Sequence, residues 1–201
     1  MAISQTREHS KQDQCWEEKL KLAQVAGDCL VRTVSTIRGV AVTGSVAYGD
    51  VDENDDIDLL VITAANRVYT TRLMCYVLAL MRGKKRTSRN ERNKWCLNMF
   101  LDETCLLIPE EKRTDFARCQ IERMKVLVDK NKVFADFYRI NREWMNGKTD
   151  FEVNEREIES GRVGDIVENG LRTIQQWWMR PKITREVITE KQIFFQPLVR
   201  D

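Results

Sequence analysis

The 201-residue chain holds a single histidine, His9, inside a polar leader, and its six cysteines (Cys15, Cys29, Cys75, Cys96, Cys105, Cys119) stand alone without a C-x-x-C pair. That scarcity argues against a zinc centre and against a disulfide framework, and the expectation is six reduced cysteines buried in a core. Charge of one sign is also missing: Lys+Arg 33 against Asp+Glu 31 leaves +2, so no global field calls for a nucleic-acid partner and any basic site must be local. Long apolar runs are absent, both at the N-terminus, where a signal peptide would carry one, and further on, where a membrane span would need about 18 residues. A soluble, cytoplasmic protein with no membrane partner is expected. Neither an internal repeat nor a low-complexity tract is present.

With 42% hydrophobic residues the chain can bury one sizeable core, or one domain with an appendage. Trp16, Leu20, Ala23, Leu30, Val34 and Ile37 recur at helical spacing and predict a helix over residues 12 to 37. "GVAVTG" and "DIDLLVIT" are short, β-branched runs that read as buried strands. Residues 66 to 83 return to helical spacing and end at Gly83, a C-cap glycine. A loop dense in Lys and Arg, "KKRTSRNERNK", leads to the strand "WCLNMFL", with "TCLLI" a second strand that could pair with it. After Pro109 the pattern is read as helical, with apolar blocks at Ile121 to Val128 and Val133 to Trp144 and a further helix before Pro181. The fold class expected is α/β (α+β): a small mixed sheet with packed helices in residues 12–110, and a C-terminal helical extension, residues 111–201, packed on it. Trp177, Trp178, Phe194 and Phe195 read as the glue that docks a C-terminal element, or as a surface that meets a second chain.

The stretch "VTGSVAYGDVDENDDIDLLVIT" carries the chemistry. Asp56 and Asp58 alternate on a strand and so present two carboxylates on one face. Like charges this close need a cation. Oxygen ligands suit Mg²⁺, which takes one or two carboxylates and fills its remaining positions with water and substrate phosphates. Gly44 lets a backbone approach phosphates closely and Ser45 adds a hydroxyl beside exposed N–H groups. Ser45 as a plain helix cap is compatible with this, because a helix start that needs a cap also favours phosphate. Gly49 is assigned to the turn that follows.

Gly44-Ser45, ten residues, then Asp56-Ile57-Asp58 resembles the signature of the DNA polymerase beta-like nucleotidyltransferase superfamily. "CLNMFLDE" and the terminal "TREVITEKQIFFQP" look like stand-alone bacterial members of it. The resemblance implies a small mixed sheet, two Mg²⁺ (or Mn²⁺) ions, and transfer of a nucleoside monophosphate from an NTP to an acceptor hydroxyl with release of pyrophosphate. It also implies a third acid on a later strand, and there this chain departs from the pattern. Asn98 stands at the matching position, able to face a metal but not to act as a base. Asp102 shares the strand parity of Asn98, about 13 Å further along an extended strand, and could substitute only if the strand bulged or ended early.

Lys84 and Lys85, with Arg86, Arg89, Arg92 and Lys94, either neutralise the triphosphate of a bound nucleotide, or guide a nucleic-acid acceptor, or form a solvated loop. The leading expectation is a Mg²⁺-dependent nucleotidyltransferase whose acceptor is a small molecule, a protein or an RNA. The rival is a nucleotidyltransferase-like regulator, a nucleotide sensor or antitoxin-like partner, that kept two aspartates and lost turnover.

Overall fold

The computed structural model of the chain describes residues 2–87, 89–147, 162–179 and 187–194. The two apolar runs form strands β1 (Ile37–Val42) and β2 (Ile57–Thr63), paired antiparallel with Val42 opposite Leu59. Between them lies the one-turn helix α2 (Gly44–Tyr48), and before them the long helix α1 (Ala2–Thr33). Helix α3 (Val68–Met81) then carries the chain over to β3 (Trp95–Asp102), which runs parallel to β2. Beyond Pro109 come α4 (Asp115–Arg123), β4 (Lys125–Asp129), α5 (Val133–Met145), α6 (Arg162–Met179), β5 (Val187–Ile188) and β6 (Gln192–Phe194). The six strands make one mixed sheet in the order β4-β1-β2-β3-β6-β5.

Both faces of the sheet are covered. Helices α1, α3 and α6 close one side, where Ala23, Leu30, Val40, Leu59, Tyr69 and Phe100 are fully buried. Helices α4 and α5 close the other, where Leu60, Met99, Leu101, Ile121, Phe134 and Phe137 pack together. Apolar burial at roughly 25 cal/mol per Å² is what holds such layers. Helix α6 adds a polar lock: the buried carboxylate of Glu168 accepts from the backbone N–H groups of Tyr69 (2.6 Å) and Thr70 (2.9 Å). Those are donors of the first turn of α3, which have no partner inside their own helix and sit at its positive end.

"KVLVD", taken as helical, is the edge strand β4, and Gln192–Phe194 is also a strand, so the sheet draws on both sides of residue 110. "TCLLI" is not a strand; its Leu106 and Ile108 are buried plugs against the α4 and α5 face. The first helix ends at Thr33, and Ile37 opens β1. Trp177 and Trp178 are largely exposed, whereas Phe194 is buried; Phe195 and residues 151–161 lie outside the described residues. The cysteines are free, as expected, but Cys119 is exposed and Cys15, Cys29 and Cys105 are half-buried. Among the described residues no helix is long and apolar enough to cross a membrane.

Candidate active site

Helix α1 positions the acidic loop. Lys19 is almost completely buried and its Nζ donates to the carbonyls of Glu53 (2.9 Å) and Asp55 (2.6 Å), immediately before Asp56. Burial lowers the pKa of this ammonium, with Asp55 among the charges that oppose the shift. Trp16 Nε1 donates to the carbonyl of Val46 and Gln12 to that of Val51, so one face of α1 holds the chain from α2 to the aspartates.

At the start of α2, Gly44 has φ +66, a left-handed backbone that favours glycine. Space demands glycine as well. A Cβ on Gly44 would fall 2.3 Å from Asp58 Oδ2. The Gly44 N–H is taken by Gln120 Oε1 of α4 at 3.2 Å. Gly49 closes α2 with φ 82 and makes the turn expected of it.

Asp56 and Asp58 do come together, and Cys96 joins them: a ligand atom from each lies within 4.8 Å of the other two. Asp58 Oδ1 accepts from Asn98 Nδ2 at 3.2 Å. Arg86 Nε stands 2.7 Å from Asp56 Oδ2, a charge contact without hydrogen-bond alignment, so this buried oxygen accepts no hydrogen bond. Arg86 also donates to Cys96 Sγ (3.3 Å) and to Glu91 (2.9 Å). Burial first, then the carboxylates of Asp58 and Asp56, push the Cys96 thiol up and keep it protonated.

Asp102 is not brought to this cluster, and the reason is a β-bulge. Leu59 pairs with Leu97 but Leu60 with Met99, so Asn98 is an extra residue and strand parity flips after it. Asn98 and Met99 share the aspartates' side of the sheet, and Asp102 falls on the other with Phe100. There its buried carboxylate accepts from Asn66 N, Thr104 N and Thr104 Oγ1, tying β3 to the start of α3. Burial raises its pKa against the pull of those hydrogen bonds.

A cleft of about 390 Å³ opens along the upstream edge of β3, beside the aspartates, lined among others by Arg72, Tyr76, Lys85, Arg86, Cys96 and Asn98. Lys85 Nζ sits 4.9 Å from the centre of the Tyr76 ring. Lys84 does not line the cleft.

A family model for the nucleotidyltransferase domain matches residues 28–132, just over half of the chain. The chain belongs to the nucleotidyltransferase domain family. The matched span runs from α1 through β4 and holds Gly44, Ser45, Asp56, Asp58 and Asn98. The mixed sheet and its helices agree with the polymerase beta-like fold that the motif implied. No curated protein matches the chain. Sequence reasoning missed two neighbours of the carboxylates in this nucleotidyltransferase domain. Cys96 had a signal, since it lies two residues before Asn98 on one strand. Gln120 had none, because only the packing of α4 on α2 brings it to Gly44.

Proposed function

We propose that the chain transfers a nucleoside monophosphate from an NTP to an acceptor oxygen, with Asp56 and Asp58 as ligands of a divalent cation and Gly44 and Ser45 placing the nucleotide's phosphates. The observation that carries this reading is the carboxylate pair itself: the two acids come together, Asp58 against a glycine, and the buried Asp56 Oδ2 accepts no hydrogen bond and is met by the positive charge of Arg86. Oxygen donors of this kind fit Mg²⁺ or Mn²⁺, and hard ions of that class prefer carboxylate oxygen over the sulfur of Cys96. When bound, the cation supplies charge stabilisation at the α-phosphate and the departing pyrophosphate. The protein's own contribution is placement. Asp58 is wedged between Gly44 and Asn98, and the acidic loop is anchored by Lys19. In this reading residues 12–110 supply the chemistry, and the later residues complete the sheet and brace α3.

Thermal unfolding with each of the four NTPs, with and without Mg²⁺, tests the site. A ligand that binds only the folded state at a hundred times its dissociation constant adds ~2.7 kcal/mol. One NTP should raise the Tm of wild type only with Mg²⁺, and Asp56→Asn should lose that shift and all transfer while keeping its fold. Retained transfer in Asp56→Asn refutes the assignment. A second reading, a nucleotide-binding regulator without turnover, draws on Asn98, whose amide offers no negative charge and no base. It predicts the same Mg²⁺-dependent shift with no pyrophosphate released.

A further inference from the structure

The two oxygens of Asp58 divide the site into two sides. Oδ2 faces Gly44 on the β1 side, and Oδ1 faces Asn98 on the β3 side. In phosphoryl-type transfer the entering and leaving oxygens stand roughly in line across the phosphorus. With the NTP's phosphates at Gly44 and Ser45, as the proposed function has them, the pyrophosphate leaves on the β1 side and the acceptor enters from β3. What waits on that side is the cleft. Strand β6 pairs only with Met99–Leu101 of β3, so the cleft borders the upstream residues Trp95 to Asn98.

The composition of this entry side is unusual for accepting a hydroxyl, whose proton must go somewhere. Asn98 cannot take it, and Asp102 is on the opposite side of the sheet. Glu91, the carboxylate of the cleft, is held by Arg86. Cations are abundant instead: Arg72, Lys85 and Arg86 line the cleft against that single acid. No carboxylate pairs with Lys85 among the described residues; its contact is the Tyr76 ring. Arg86 reaches from the cleft to Asp56 itself.

We infer that the acceptor is a phosphate monoester that attacks through its own phosphate oxygen, so that the product carries a pyrophosphate bridge. This rests on the transfer reading and names its substrate class. A phosphate monoester has its second pKa near 6 and arrives largely as the dianion at neutral pH. No base is then required, and clustered Lys and Arg supply the contacts that a phosphate takes. One P–O bond forms between the acceptor oxygen and the α-phosphorus. The bond from that phosphorus to the bridging oxygen breaks, and its electron pair leaves with pyrophosphate. In this assignment Lys85 serves the acceptor rather than the nucleotide.

Inorganic phosphate, the smallest nucleophile of this kind, is the probe, with glucose 1-phosphate beside it and the full chain, Mg²⁺ and the stabilising NTP present. Phosphate labelled with ¹⁸O should yield nucleoside diphosphate with label in its β-phosphate, and one pyrophosphate per diphosphate. Lys85→Gln should raise the phosphate concentration at half-maximal rate about tenfold, the loss of one charge-assisted contact, while the Tm shift from NTP and Mg²⁺ alone persists. Transfer to glycerol or acetate instead, no labelled product from either phosphate while the NTP still binds, or an unchanged response in Lys85→Gln each overturns the acceptor assignment and leaves the transfer reading standing. Absence of any NTP-dependent shift in wild type is the different result that removes the transfer reading, and this inference with it.

Discussion

Replacing Gly44 by alanine perturbs the site at one atom. The backbone there has φ +66, which costs an L-residue roughly 1–2 kcal/mol. The new methyl would lie 2.3 Å from Asp58 Oδ2 and 3.2 Å from its Cγ, so the carboxylate has to swing away by about 1 Å to reach ordinary contact distance. Because a carboxylate can rotate, that overlap should cost little stability and much geometry. The expected result is a loss of about 1–2 kcal/mol in urea unfolding, a Tm lowered by roughly 2–8 °C, and Mn²⁺ affinity reduced more than tenfold in a titration that follows free Mn²⁺. Gly49→Ala is the control. Its φ is +82, but its methyl would meet Trp16 no closer than 3.7 Å, so it should show the backbone cost with Mn²⁺ binding intact. Equal Mn²⁺ affinity in wild type and Gly44→Ala would refute the placement of Asp58 as a ligand pressed against this glycine. Unchanged stability in both variants would refute the backbone argument.

Asp102→Asn should cost about 2 kcal/mol at neutral pH, because one amide oxygen cannot serve the donors of both Asn66 and Thr104, yet leave Mn²⁺ binding unchanged. Burial raises the Asp102 pKa, so its contribution favours the fold at acid pH and is lost as pH climbs from 3.8 through the raised value; the variant's stability–pH curve should lack that fall. Lys19→Met strands the carbonyls of Glu53 and Asp55, and should lower stability by roughly 2–3 kcal/mol and open the acidic loop to proteolysis, read by urea unfolding and limited digestion. Asn98→Asp puts a third carboxylate where an amide now donates to Asp58, 3.2 Å away, so the Tm should fall without metal and Mn²⁺ should bind at least several-fold tighter. Weaker Mn²⁺ binding in that variant would show that Asn98 does not face the ion.

The motif was legible because it is local. Alternation carried one residue back from the start of β2 puts Asp56 on the side of Asp58, and the β-branched runs of β1 and β2 leave little freedom for another structure. What escaped depends on partners far away in sequence. "KVLVD" follows a helix with no glycine or proline to mark the change, and becomes a strand only because β1 offers it a free edge. Helix α6 was read correctly as a helix, but its Trp177 and Trp178 face outward while Glu168 and Gln175 make the docking contacts. Counting parity from Asn98 to Asp102 gave the same side; the structure disagrees because one residue was not paired.

That unpaired residue acts as a frame shift within the strand. Upstream of it β3 is in phase with the chemistry, and downstream it is in phase with the hydrophobic interior, so one segment serves both without either compromising the other. Straightening β3 with Asn98 kept would restore uninterrupted phase at a cost downstream: Asn98 would pair with Leu60, Phe100 and Asp102 would turn toward α4 and α5, and Met99 and Leu101 would turn toward α3. Deleting Asn98 would instead leave those four residues in their present phase and remove only the amide beside Asp58. Lineages of this protein should therefore tolerate exchange or loss of the residue at 98 far more readily than a residue added to β3 downstream of it.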